Sequence, residues 1–69
     1  MTLGEYIKIK RIEKNVSQYK LAKDLNMATR NIQRWEEGNG LPNAKYIFLL
    51  IDYLELDQKE VKKILYEQD

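Results

Sequence analysis

Between Thr29 and Arg34 the chain reads Thr-Arg-Asn-Ile-Gln-Arg, and five of these six side chains are types that can read the edge of a base pair. An Arg guanidinium presents two parallel N–H donors that match O6 and N7 of guanine. A Gln amide pairs in the same bidentate manner with adenine, and a Thr methyl can rest on the methyl of thymine. On a helix, at about 100° per residue, Thr29, Arg30, Gln33 and Arg34 fall in one arc. Ala28, Ile32 and Trp35 fall in a second arc nearly opposite, which places Trp35 in a core and not against a base. One face can anchor while the other is offered to a groove.

Such a helix needs a support, and the residues before it supply one. Ser17 is an N-cap, and Leu21, Ala22 and Leu25 face inward on the helix it starts. Ala22 is small enough to let two backbones cross closely, Asn26 tolerates a left-handed turn, and Met27 fills the angle. The next helix runs over about 29–37 and stops at Gly38. Two short helices joined by a sharp turn, over about 17–37, make a helix-turn-helix unit.

Three more helices frame this pair. Thr2 and Glu5 form a capping box for the first, with Leu3, Ile7 and Arg11 on its inner face. Tyr6, Ile9 and Ile12 widen that face and predict packing against the last helix, and Asn15 terminates the element. Pro42 keeps the third helix from continuing, and Asn43 caps a fourth over about 44–54. That helix has one stripe of Ile47, Leu50, Ile51 and Leu54 and a second of Tyr46, Leu49 and Tyr53. Asp57 and Glu60 predict a capping box for a fifth helix with Val61, Ile64 and Leu65 inside. The expectation is an all-α fold of five helices forming one compact domain over residues 1–69.

Composition narrows the function classes. The chain has 69 residues, enough for one core but too few for an enclosed catalytic cleft. It contains no Cys and no His, which removes disulfides, thiolate chemistry and the usual zinc sites. Ser17 is the one serine and is already used as a cap, and the carboxylates sit singly on helical surfaces. Neither an enzyme nor a cofactor or metal site is expected. No apolar run approaches the ~20 residues that span a bilayer, and no signal pattern opens the chain, so the expected location is cytoplasmic. The net charge of +1 is unevenly spread: residues 1–45 carry nine Lys/Arg and five Asp/Glu, whereas 46–69 carry three and six. A basic N-terminal half can face phosphates while the acidic half faces away.

The pattern Arg11, Ser17-Gln18-x-x-Leu21-Ala22, Asn26-Met27, Ile32, Trp35-Glu36-x-Gly38 and Pro42, continuing through Ile47, Leu50 and Leu54, resembles the phage-repressor helix-turn-helix family of Cro and XRE-like proteins. The resemblance covers about residues 3–66 and implies a lambda-repressor-like fold. It implies that Ser17 and Gln18 open a helix lying beside a DNA phosphate, and that 29–37 is the recognition helix. Thr29, Arg30 and Arg34 would point to base edges, Gln33 to a base or a phosphate, and Asn31 to the backbone. Arg11 and Glu36 match an internal ion pair; the alternative for Arg11 is a phosphate ligand. Among the solvated lysines, Lys20 and Lys45 lie best for phosphates. The core of the unit would be Leu21, Ala22, Ile32 and Trp35.

Three positions depart from the family pattern. Ala28 stands where a Ser or Thr N-cap is usual, which costs about 0.5–2 kcal/mol unless Thr29 caps instead. Asn26 replaces a more usual Gly, and Glu55 stands where a Gly commonly ends the fourth helix. The implied function is a transcriptional regulator, of repressor type from a phage or mobile element, that binds double-stranded DNA as a homodimer. The Tyr46, Leu49 and Tyr53 stripe or exposed parts of the fifth helix would supply the dimer contact. The alternatives are an antitoxin or other protein-interaction module with a toxin or similar protein partner, and a DNA-binding domain detached from a longer regulator.

Overall fold

Local signals in the chain fix where each helix begins and ends, and a computed structural model, which describes residues 1–67, shows them at work. The helices are α1 (Leu3–Glu13), α2 (Gln18–Asp24), α3 (Thr29–Glu36), α4 (Ala44–Leu54) and α5 (Gln58–Glu67). The Thr2 hydroxyl accepts from the Glu5 amide at 3.1 Å while the Glu5 carboxylate accepts from the Thr2 amide at 2.9 Å, a complete capping box. These bonds favour the charged form of Glu5 and lower its pKa, the backbone bond at Thr2 contributing most. Ser17 and Asn43 cap α2 and α4 by accepting from the Lys20 and Tyr46 amides. Asn15 and Asn26 turn the chain with φ of 57° and 55°.

The start of α5 differs from expectation, and the end of α4 falls where expected with an unusual residue. At the start of α5 the Asp57 carboxylate accepts from the Lys59 amide at 2.9 Å, but the Asp57 amide donates to the Tyr6 hydroxyl, not to Glu60. Asp57 still caps the helix, but neither bond of the expected capping box with Glu60 forms, and a tertiary bond from α1 takes the Asp57 amide instead. Glu55 adopts the left-handed conformation of a family glycine, at φ 55°. The side chain offsets part of that cost through an exposed ion pair to Lys14 at 3.1 Å.

The core draws on every helix: Leu3, Tyr6, Ile7, Leu21, Ala22, Ile32, Trp35, Leu50, Leu54, Val61 and Ile64, with Leu56 from the last turn. Ile9 and Ile12 are exposed, at 41% and 55%, so the widened face of α1 ends at Tyr6 and does not reach α5 through those two residues. The second stripe of α4 is also used within the chain. Tyr46 packs its ring 5.8 Å from that of Trp35, and the Tyr53 hydroxyl donates to Asp24 on α2. Tyr46, Leu49 and Tyr53 are each half-buried, so this stripe is partly occupied within the chain.

One contact sets how α1 meets α3. A β-carbon built on Gly4 would lie 1.8 Å from the Trp35 carbonyl oxygen and 2.7 Å from its carbon. Only glycine permits so close a backbone crossing, which brings the start of α1 against the last turn of α3. That crossing fixes the end of α3 against the body.

Candidate nucleic-acid interface

The segment α3 has no side-chain cap: Ala28 takes the N-cap position and no side chain accepts from the first turn, Thr29 included. Its C-terminus is well closed. The Gly38 amide donates to the Trp35 carbonyl and the Asn39 amide to the Arg34 carbonyl, with Gly38 at φ 82°, the Schellman arrangement. Ile32 is fully buried and Trp35 nearly so, at 9%, so one face of α3 is fixed in the core. Leu21 and Ala22 of α2 are buried beneath it.

The opposite face is free. Arg30, Gln33 and Arg34 are exposed, and Thr29 and Asn31 are half-buried at the margin. Among the described residues, Arg30 and Gln33 make no side-chain hydrogen bond or ion pair. Arg34 Nη2 donates to the Asn39 carbonyl at 3.3 Å, a long exposed bond that orients the guanidinium and is easily exchanged. Arg30, Gln33 and Arg34 thus share one outward surface, with Thr29 at its margin, and their donors are uncommitted or nearly so.

A charged cluster behind this surface fixes the angle between helices. Arg11 Nε donates to Glu36 Oε2 at 2.7 Å and Arg11 Nη2 to Oε1 at 3.0 Å, while Nη1 donates to the Val16 carbonyl at 2.8 Å. The two side chains are 11% and 3% exposed, so the pair is largely desolvated and bidentate. Arg11 is committed inward and is not placed as a phosphate ligand. Gln18 Nε2 also donates to Glu36 Oε1, at 3.0 Å. Sequence reasoning gave Gln18 only an outward role. Here its amide is braced by the same carboxylate, which leaves its second N–H as the group available to a phosphate.

The lysines differ in readiness. Lys45 is exposed with its ammonium 5.7 Å from the Tyr46 ring centroid, a contact that leaves the charge facing solvent. Lys20 bridges to Asp24 at 3.1 Å one turn further along α2. Because such an exposed pair is worth ~0–1 kcal/mol, exchanging Asp24 for a phosphate is cheap. Asp24 has a second partner that spacing did not reveal: the Tyr53 hydroxyl. That bond first, and Lys20 second, hold the Asp24 carboxyl below its usual range, while the same bond raises the Tyr53 hydroxyl. Ser17 is consumed as the α2 cap, its hydroxyl accepting from the Lys20 amide at 2.9 Å.

Residues 7–57 match a helix-turn-helix family model, from the middle of α1 to the start of α5. The chain belongs to the Cro-type, XRE-like helix-turn-helix family. It is accordingly a DNA-binding helix-turn-helix regulator, in a family whose members are not typically enzymes. No curated protein and no solved structure gives a significant match. α2 and α3 are the two helices of this helix-turn-helix. No helix among the described residues is long and apolar enough to cross a membrane.

Proposed function

We propose that this helix-turn-helix protein is a sequence-specific regulator of double-stranded DNA, a repressor of phage or mobile-element type that acts in the cytoplasm. The whole chain would serve as one DNA-binding domain and work as a homodimer, each subunit laying α3 in a major groove. Arg30 and Arg34 would take guanine or neighbouring acceptors, with Thr29 and Gln33 reading adjacent positions. Gln18, the α2 start at Ser17, Lys20, Asn31 and Lys45 would lie along phosphates. The observation that carries this reading is that α3 buries Ile32 and Trp35 while holding Arg30, Gln33 and Arg34 exposed on the opposite face.

A dimer is argued from charge and geometry. Few phosphates can be neutralised by one subunit with a net charge of +1, so a monomer binds weakly at physiological salt. Two subunits read half-sites about 34–36 Å apart, one turn of B-DNA. Selection of bound duplexes from a random pool, followed by sequencing, tests this directly. The expected outcome is an inverted repeat with that spacing; equal affinity for the selected and scrambled duplexes defeats the reading. A reporter whose promoter overlaps the selected site should lose expression when the protein is supplied.

A further inference from the structure

Glu37 closes α3 at its C-cap with helical dihedrals, φ −83° and ψ −5°. It therefore keeps the register of the helix, following Arg34 by three residues, Gln33 by four and Arg30 by seven, which sets it on their face. Like them it is exposed, and it forms no ion pair among the described residues. The position is unfavourable on two counts. A negative charge at a helix C-terminus opposes the helix dipole, and a carboxylate on a face that meets DNA repels phosphates.

One residue joins this acid to Arg34. The Asn39 carbonyl accepts from Arg34 Nη2 at 3.3 Å, and Asn39 Nδ2 donates to Glu37 Oε2 at 3.4 Å. The end of α3 thus offers a fork of donors and, beside it, a group that only accepts. In the major groove guanine O6 and N7 accept, thymine O4 accepts, and adenine sets its N6 donor beside the N7 acceptor. Cytosine alone offers an amino donor, N4, with no acceptor of its own there. A carboxylate is matched to that edge and repelled by the others.

We infer that Glu37 is a specificity residue, its carboxylate accepting from cytosine N4 in the base pair next to the one that Arg34 reads, with Asn39 positioning both side chains. Three residues advance a helix by about 4.5 Å, against about 3.4 Å for a base-pair step, so the two side chains reach neighbouring pairs. The inference rests on the proposal that α3 lies in a major groove, and it adds the identity of one base.

Equilibrium binding of the full chain to its selected duplex, and to the single-base variants of that duplex, is the measurement. The parent should prefer cytosine by roughly tenfold at one position, adjoining the position whose discrimination is lost in Arg34→Ala. Glu37→Gln should lose the cytosine preference, keep the discrimination that depends on Arg34, and bind unrelated duplexes more tightly because one negative charge has gone. Asn39→Ala, which keeps the carboxylate, should weaken the cytosine preference without that gain on unrelated duplexes. Retention of the cytosine preference by Glu37→Gln overturns the inference. So does an equal loss of affinity for every duplex accompanied by a lower melting temperature, which marks a structural role. A parent that discriminates elsewhere but is indifferent beside the Arg34 position overturns the inference and leaves base reading standing; a parent indifferent at every position defeats both.

Discussion

A β-carbon on Gly4 would meet the carbonyl oxygen of Trp35 at 1.8 Å, so the start of α1 and the last turn of α3 touch backbone to backbone. The Trp35 side chain is buried at the same crossing. Gly4→Ala must therefore push the helices apart although alanine favours a helix, and a destabilisation of about 1–3 kcal/mol or more is expected. Trp35→Ala should cost about 3–5 kcal/mol. Denaturant melts of both variants check this. A Gly4→Ala protein as stable as the original would mean that the two backbones do not touch at this crossing.

The exposed face of α3 and the lysines around it should respond differently to mutation. Arg34→Ala or Arg30→Ala should lower discrimination at one base position by roughly 1–3 kcal/mol while the fold stays intact. Lys45→Ala should instead weaken all duplexes alike and reduce the salt slope of binding by about one. Binding isotherms on the selected duplex and its single-base variants, at several salt concentrations, separate the two behaviours.

Ala28 leaves the first turn of α3 without a side-chain acceptor. Ala28→Ser supplies one, and a gain of about 0.5–2 kcal/mol is expected from the added N-cap bond. Its φ of −75° and ψ of 139° already suit that role, so no backbone movement is needed. Thermal melting of Ala28→Ser against the parent measures the gain, and an unchanged midpoint would count against the uncapped start.

The Asp24–Tyr53 bond links α2 to α4 and gives the stability a dependence on pH at both ends. The folded Asp24 pKa is depressed, so its contribution is present above the ordinary carboxyl range and fades as acid protonates the folded form. The folded Tyr53 pKa is raised, so its contribution is present at and below pH ~10 and is lost at higher pH as the phenol ionises beside a carboxylate. Tyr53→Phe should weaken the acid dependence, leaving the Lys20 share, and remove the alkaline limb set by this group. Melting midpoints from pH 2 to 12 report the effect; identical profiles for both proteins would sever the link.

Much of this molecule was legible in order along the chain because caps and turns are local. Thr2, Ser17, Asn26, Gly38 and Asn43 each act on backbone within a few residues, so type and spacing reveal them. The apolar face of α3 was legible for the same reason. What escaped were contacts between residues distant in sequence. The Tyr6 hydroxyl takes the amide of Asp57, fifty-one residues away, and displaces Glu60 from its expected bond. Tyr53 of α4 reaches Asp24 of α2, and Tyr46 meets the Trp35 ring, across similar sequence distances. Gly4 carries no side chain to signal its role; a glycine inside a capped helix, otherwise costly, was the available clue.

Glu36 accepts from Arg11 on α1 and from Gln18 on α2 while sitting in the final turn of α3. One carboxylate is thus a common post for three rods, and the aim of the reading edge shares its footing with the cohesion of the whole body. Damage to the alignment of α3 should then surface as a fall in resistance to unfolding. A collection of variants ranked simply by protease survival would, to that extent, already be sorted by how well each still holds α3 in place.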